Sequence, residues 1–422
     1  MNLNDFFPFK VCINLDKRRD RWEKMQARFA ENQIDDVVRF PALDGTRLDI
    51  PSSWKHFPGA YGCLRSHLAV IEQARQEAKP SVLIFEDDAV FHPEFKTRFS
   101  EYINQLPADW DMVLFGGLHG EPPRRISSNV MRVTHSLSTY AYAMKHTIYD
   151  GFTEVNGKAC QLLDEGTRSL QKHFNCYCFM PHLSWVEEDY SDVREESVNL
   201  WWLSESLVLF GNEVEQILEQ TAATVFHQHR SEASLKNLKF LARYFAEKLP
   251  TVDLFIVTQG AEPTLNQAEL PPNCHFQFLT EPNGYARSRA FNLGFEMFER
   301  SKEYFLFLDS DIFLTREDIR ANLIKCREND FASSFSEICD LSETDTLRIL
   351  NDDVRWDYRP NYRRRRKIDV CQSSCVITNR GMRIIGGWQE TNDERECRTS
   401  TRVRERLKVF ESPNRARRLF HG

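Results

Sequence analysis

With 422 residues, 41% apolar and 12% aromatic, the chain exceeds the size at which one hydrophobic core stops growing, and it is too apolar to remain disordered. A net charge of −7 argues against a general nucleic-acid binder, so no nucleic-acid partner is expected. The balance is uneven: from Arg355 to the C-terminus the chain carries roughly ten net positive charges, which suits an anionic partner or a solvated basic face. Eleven cysteines fall at irregular spacing, with Cys176 and Cys178 one residue apart and no paired CxxC of a zinc site, which predicts reduced, buried thiols. The N-terminus meets charge too soon for a signal peptide, and no apolar run approaches a membrane span. The expected location is the cytoplasm, with peripheral contact at the inner membrane left open.

In chain order, Lys10 to Leu15 reads as a strand, followed by charged Asp16 to Arg21 and a helix to about Asn32 with Trp22, Met25 and Phe29 on one face. Val37 to Gly45 (VVRFPALDG) predicts a second strand closing at Asp44-Gly45. The segment GAYGCLRSHLAVIEQARQEA predicts a loop that becomes helical from about Ser66. SVLIFEDDAVF is an unbroken apolar run ending in three acids, the pattern of a central parallel strand covered on both faces. The strand DMVLFGG follows. Alternation of this kind predicts an α/β layered fold.

The pattern then restarts. Thr221 to Arg230 (TAATVFHQHR) is a strand, Glu232 to Lys248 a helix, VDLFIVTQG and HFQFLTE further strands, and NGYARSRAFNLGFEMFERS a helix leading into EYFLFLDSDIFL. The predicted organisation is two α/β domains at residues 1–200 and 221–422, with a helical linker at 201–220.

Both halves thus reach an apolar strand capped by carboxylates. In LFLDSDIFL, Asp309 and Asp311 are two residues apart, so a strand turns both to one side. Paired buried carboxylates need a cation or hydrogen-bond donors, and oxygen ligands of this sort suit Mn²⁺ or Mg²⁺ completed by diphosphate oxygens and water. Ligands of open α/β sheets bind at the carboxyl ends of strands, where these acids lie. In LIFEDDAVF, Glu86, Asp87 and Asp88 offer the same chemistry; Glu86 and Asp88 share a face, and Asp87 faces the other way unless the strand has bent. No GxxxxGK[ST] loop is present, which argues against phosphoryl transfer by that route.

The first half resembles glycosyltransferase family 25, the lipooligosaccharide galactosyltransferases. The motifs that carry the likeness occur in order: VCINLDKRRDRW, RFPALDG, GAYGCLRSHL, VLIFEDDAVF, DWDMVLFGG and CYCFMPHLSWVEEDYSDV, over about Lys10 to Arg194. The pattern departs at Val186, where a polar residue such as Gln is expected. The second half resembles the family 2-like and galactosyltransferase-type GT-A enzymes through FHQHR, NGYARSRAFNLGF, LFLDSD and IIGGWQETNDERECR. The resemblance implies two tandem GT-A domains (Rossmann-like, of the nucleotide-diphospho-sugar transferase kind), a divalent cation, and inverting transfer from a UDP-sugar, often UDP-galactose, to a glycan or glycolipid acceptor such as lipopolysaccharide.

On that resemblance, donor contacts are expected from Asn14, Arg18, Asp20 and Arg21 after the first strand, from Asp44, and from Ser66 and His67, although Ser66 could equally cap a helix. Arg230 and Arg287 would offer charge to the diphosphate. Metal ligands are expected among Glu86, Asp87, Asp88, Asp309 and Asp311, with His421 near the end of the chain. A carboxylate takes the acceptor proton as it attacks: Asp393, Glu394 or Glu390 in the second domain, and Glu187, Glu188 or Asp192 as the nearest candidates in the first. The run YRRRRK (Tyr362 to Lys367) would hold an anionic acceptor or form a solvated loop. One reading makes both domains catalytic, adding two sugars; the other leaves one as an acceptor-binding or scaffolding module.

Overall fold

The structure, a computed structural model, describes residues 1–186, 189–191, 196–198, 200–263, 265–272, 274–280, 286–351, 362–367, 374–389, 398–413 and 415–420. The chain divides into two compact units, Met1–Phe210 and a second beginning at Gly211. Short helices at Trp201–Ser204 and Asn212–Glu219 lie on either side of this division. Both units are mixed α/β.

The first unit is built on β1 (Lys10–Asn14), α1 (Arg19–Glu31), β2 (Val37–Pro41), α2 (Pro58–Gln76), β3 (Ser81–Glu86) and β4 (Ala89–Phe91). Then come β5 (Met112–Leu114), β6 (Arg124–Arg125), β7 (Val130–Arg132), β8 (Ala141–Lys145), β9 (Cys176–Phe179) and β10 (Ser184–Val186). Its eight-stranded sheet runs β2-β1-β3-β8-β5-β9-β7-β6, while β10 pairs separately with β4. Strands β2, β1 and β3 are parallel and β8 is antiparallel to β3. All five residues of β1 and the first five of β3 are buried, as an interior strand covered on both faces requires. Val11, Val82, Ile84, Leu114 and Tyr142 are part of the core on one side of this sheet.

Two expectations need correction. The helix does not begin near Ser66 but at Pro58, eight residues earlier, with proline at the first turn where its missing N–H costs nothing. Ser66 therefore lies in mid-helix and caps nothing; its hydroxyl donates to the Gly62 carbonyl at 2.7 Å and accepts from the Leu43 amide at 2.8 Å. In α1 the inward stripe is Arg21, Met25 and Phe29, with Trp22 only half-buried. An ion pair, described below, draws the arginine inside in place of the aromatic.

The glycines of two motifs also have a packing reason. Gly45 and Gly62 lie against one another, because a Cβ on Gly62 would collide with the Leu43 carbonyl oxygen and come within 2.6 Å of the Gly45 nitrogen. Backbone cannot give way as a side chain can. Gly62→Ala is expected to cost about 1–3 kcal/mol, read as a lowered urea midpoint; an unchanged midpoint would show that this contact relaxes freely.

The second unit repeats the plan with β11 (Thr221–Gln228), α3 (Glu232–Lys248), β12 (Asp253–Gly260), β13 (Cys274–Thr280), α4 (Arg287–Phe298) and β14 (Tyr304–Asp309). Helix α5 (Arg316–Lys325) and strands β15 (Phe331–Ser333), β16 (Cys375–Thr378) and β17 (Val409–Glu411) follow. The sheet order is β13-β12-β11-β14-β16-β15-β17, parallel through the first four strands and antiparallel between β14 and β16. Helix α3 begins as its sequence directs, with Ser231 and Ser234 forming a reciprocal capping box. Residues Tyr362–Lys367, expected as a loop if not an acceptor contact, form a strand antiparallel to Glu337–Leu341. Among the described residues no helix is long and apolar enough to cross a membrane.

Candidate active site

The position of the first acidic motif follows from strand register. Parallel pairing sets Ile13 of β1 opposite Glu86 of β3, so the next residue of each chain segment, Asn14 and Asp87, meet beyond the strand ends. The Asn14 amide donates to Asp87 Oδ2 at 2.7 Å and to the Arg18 carbonyl at 2.9 Å, while its own oxygen accepts from Arg39 Nε at 2.8 Å. Arg21 donates to Asp87 Oδ1 at 3.0 Å with both side chains largely buried. Burial pushes the Asp87 carboxyl above its usual value even with Arg21 beside it. Asp87 is thus turned inward and used up in joining β1, α1 and β3.

Glu86 and Asp88 remain on the other side of the motif, partly exposed, with side-chain exposures of 24% and 19%. Glu86 accepts from Thr139 Oγ1 at 3.0 Å and lies 3.5 Å from His67 Nε2; the far nitrogen of His67 is 2.8 Å from the Tyr142 hydroxyl. Asp88 is 3.8 Å from Arg21, and its Oδ1 is buried without a hydrogen-bond partner. Burial first, and the Glu86 charge second, push the Asp88 carboxyl up to about 7 against the pull of Arg21. An orphaned carboxylate oxygen beside a second carboxylate is a polar set that a divalent cation fits, since it would relieve both the desolvation and the repulsion. Cys63, His67 and Glu86 also place ligand atoms within 4.8 Å of one another, so the thiol and imidazole border the same acids.

The other predicted residues of this half take local roles. Asp20 is held by Arg18 in a two-pronged ion pair at 3.1 and 2.9 Å, which pulls its carboxyl down to about 2. Asp44 caps the short turn at Gly45–Arg47, accepting from the Thr46 amide and hydroxyl at 3.1 and 2.7 Å. Glu187, Glu188 and Asp192 lie outside the described residues. Sequence reasoning missed Thr139, Tyr142 and Arg39. The first two come from the antiparallel strand β8 or the residues just before it, whose insertion beside β3 no local pattern announces.

The second acidic motif follows the same rule. Phe226 of β11 lies opposite Asp309 of β14, and the following residues again meet: His227 Nδ1 is 2.8 Å from Ser310 Oγ. Ser310 therefore occupies the place of Asp87, and Asp309 and Asp311 those of Glu86 and Asp88. Arg287, at the first turn of α4, donates to Asp309 Oδ1 at 2.7 Å and stacks over Phe291 at 4.6 Å. Arg230 is exposed and leans on Gln228 at 3.0 Å.

The end of the chain is tied to this motif: the Leu419 amide donates to the Asp311 carbonyl at 2.7 Å, and the Phe420 carbonyl accepts from Asn237 at 3.0 Å. The tail is thus fixed as far as Phe420; His421 lies outside the described residues. The segment IIGGW is held by Asn292, which exchanges two hydrogen bonds with the Trp388 backbone at 2.9 and 2.7 Å. Glu390, Asp393 and Glu394 follow outside the described residues.

Burial pulls His227 down to about 4, with His229 and Arg230 adding to the effect. In the unfolded chain the same imidazole titrates near 6.5, so between these values the unfolded state binds the extra proton. The stability from neutral His227 is complete above pH 6.5 and falls as pH drops toward 4, by on the order of 3 kcal/mol. His227→Gln should flatten this part of the urea-stability curve; an unaltered slope would refute the assignment.

Two strands thus end in acids that flank a fixed inner residue, and in the first unit the motifs around them are shared with known proteins. Residues 7–150 match the model of Glycosyltransferase family 25 (LPS biosynthesis protein). A glycosyltransferase 25 family member of Aedes aegypti is 32% identical over 123 residues, 25% of this chain and 20% of that protein. Procollagen galactosyltransferase 2 of Mus musculus is 27% identical over 157 residues, 31% of this chain and 25% of that protein. The human inactive glycosyltransferase 25 family member 3 is 26% identical over 157 residues, 32% and 26% of the respective chains. The chain spans only 20–36% of the length of the first relatives it matches. A mannosyltransferase structure from Pyrobaculum calidifontis aligns at TM-score 0.28 and 12% identity over 46% of this chain and 56% of its own.

Proposed function

We propose that the chain is a bifunctional, metal-dependent inverting glycosyltransferase, moving hexose from a UDP-sugar to a glycan or glycolipid, with one site at Glu86 and Asp88 and the other at Asp309 and Asp311. The observation that supports it is the matched register of the two units. Asn14–Asp87 and His227–Ser310 are equivalent inner contacts at the same strand register, and in each motif the inner residue is flanked by an acid on either side. The family 25 match favours transfer chemistry, and the galactosyltransferase among the relatives favours galactose. The description of that family favours a lipopolysaccharide or lipooligosaccharide acceptor. This reading places the enzyme in the cytoplasm, at the inner membrane face where such an acceptor is built.

Mn²⁺ or Mg²⁺ held by each acidic pair would neutralise charge gathering on the departing diphosphate. The chain does the rest. In the first unit Arg21 and Asn14 keep Asp87 inward so that Glu86 and Asp88 are presented together, and His67 and Thr139 orient Glu86. In the second, Arg287 releases Asp309 and turns to the diphosphate, and an acid among Glu390, Asp393 and Glu394 takes the acceptor proton.

A second reading rests on the Arg287–Asp309 pair at 2.7 Å. If the arginine does not leave, it neutralises the acid that should hold the metal, and the second unit binds acceptor without catalysing. Full-length protein is assayed for Mn²⁺-dependent UDP release from a panel of UDP-sugars, with products resolved by mass. Asp309→Asn with Asp311→Asn should abolish one glycoside product and spare another. If every product survives, the one-site reading holds; if no wild-type product forms from any donor, both readings fail.

A further inference from the structure

Away from the acidic motifs, the first unit buries two histidines and a cysteine together. His119, Cys178 and His182 are each 0% exposed, and one ligand atom from each lies within 4.8 Å of the others. The two Nε2 atoms are 3.3 Å apart, which matches the edge of a tetrahedron with metal–nitrogen bonds of roughly 2.0–2.1 Å.

The outer nitrogens are already committed. His182 Nδ1 is 2.8 Å from the Leu203 carbonyl, which can only accept, so the proton sits on Nδ1 and Nε2 carries a lone pair pointed at the cluster. His119 Nδ1 is 2.6 Å from Ser136 Oγ, so its orientation is fixed by the same kind of outer contact. Metal-binding imidazoles show this arrangement: one nitrogen held by carbonyl or hydroxyl, the other aimed at the ion.

A further polar group borders the cluster. The Tyr140 hydroxyl is buried with no hydrogen-bond partner. It lies 2.7 Å, and the His182 ring 3.1 Å, from the point where a Cβ on Gly116 would sit. Glycine there leaves room for both. A buried, unsatisfied hydroxyl beside the His182 imidazole is costly in a closed core and explicable beside an ion.

We propose that His119 Nε2, His182 Nε2 and Cys178 Sγ hold a structural Zn²⁺, with the Tyr140 hydroxyl or a water in the fourth position. Thiolate with imidazole is a borderline-soft set that suits zinc over the hard cation expected at Glu86 and Asp88. Binding would join Leu118–His119 and the interior strand Cys176–Phe179 to the segment that follows Pro181.

The test uses the full-length protein. It is expressed in zinc- and in cobalt-supplemented medium, desalted, and measured for metal content and for the thiolate-to-cobalt charge-transfer band. The expected result is one equivalent of zinc per chain and, in the cobalt protein, a band of one thiolate. Glu86→Gln with Asp88→Asn should retain both, and Cys178→Ser should lose the band. Should Cys178→Ser fail to fold, His119→Gln serves instead, with at least a tenfold loss of retained metal expected. Folded wild-type protein that retains neither metal, or a band that persists in Cys178→Ser, would show the trio to be an ordinary hydrogen-bonded core.

Discussion

Glu86→Gln combined with Asp88→Asn is expected to lower metal-dependent transfer at the first site by roughly a thousandfold while the fold stays intact. A metal ion that neutralises a leaving diphosphate is worth several kcal/mol of barrier, and each 1.36 kcal/mol is about tenfold in rate. Both substitutions are nearly isosteric. Asp88 Oδ1 has no partner, and burial with the Glu86 charge pushes its carboxyl up, so removing that charge relieves the fold. Despite its burial, the Glu86 carboxyl is held below its ordinary value by His67 and Thr139, so losing that charge offsets the relief. The fold should therefore survive both changes while activity falls, a combination that a merely structural role for these acids would not give. Urea unfolding and UDP release measured on the same preparation check both halves. If the double variant keeps its activity within threefold, the first acidic motif is not the metal site.

Arg21→Met is expected to destabilise the protein by about 3–5 kcal/mol, the usual consequence of stripping one partner from a buried ion pair. The methionine can fill much of the volume, so the loss is electrostatic: Asp87 would keep the Asn14 amide but lose Arg21 at 3.0 Å, and Asp88 would lose the same guanidinium at 3.8 Å. Adding Asp87→Asn should recover part of the loss, because the stranded charge is then gone. Chemical denaturation of the single and double variants measures this coupling directly. Equal stability of Arg21→Met and wild type would show that Asp87 is neutral in the folded protein and that Arg21 serves only Asp88.

The two predictions also separate residues that a motif presents as a single block. EDD is one string of acids, but its middle member fastens β1, α1 and β3 together, while Glu86 meets Thr139 and His67 and Asp88 keeps an oxygen without a partner. DSD shows the same division with serine in the middle, which explains why that position need not be acidic: it only has to meet His227, as Asp87 meets Asn14 and Arg21.

Much of this was legible in the chain. The apolar runs SVLIF and YFLFL, with acids at their ends, specify buried strands whose carboxylates emerge at the carboxyl edge, because period-two geometry and burial are local properties. The span of α3 is fixed by Ser231 and by its apolar spacing. The pairing of partners was not local. Arg21 and Asp87 are 66 positions apart, and their contact depends on the parallel register of β1 and β3. Helix α2 starts at Pro58, and Gly62 within it packs against Gly45, a close approach that glycine's turn-forming reputation obscures. His119, Cys178 and His182 form no motif at all, and only the adjacency of β5 and β9 gathers them. Sequence by itself determined which strands end in acid and on which side those acids emerge; tertiary structure decided which charges are neutralised and which are left facing open space, because neutralisation depends on distances between segments that no local pattern sets.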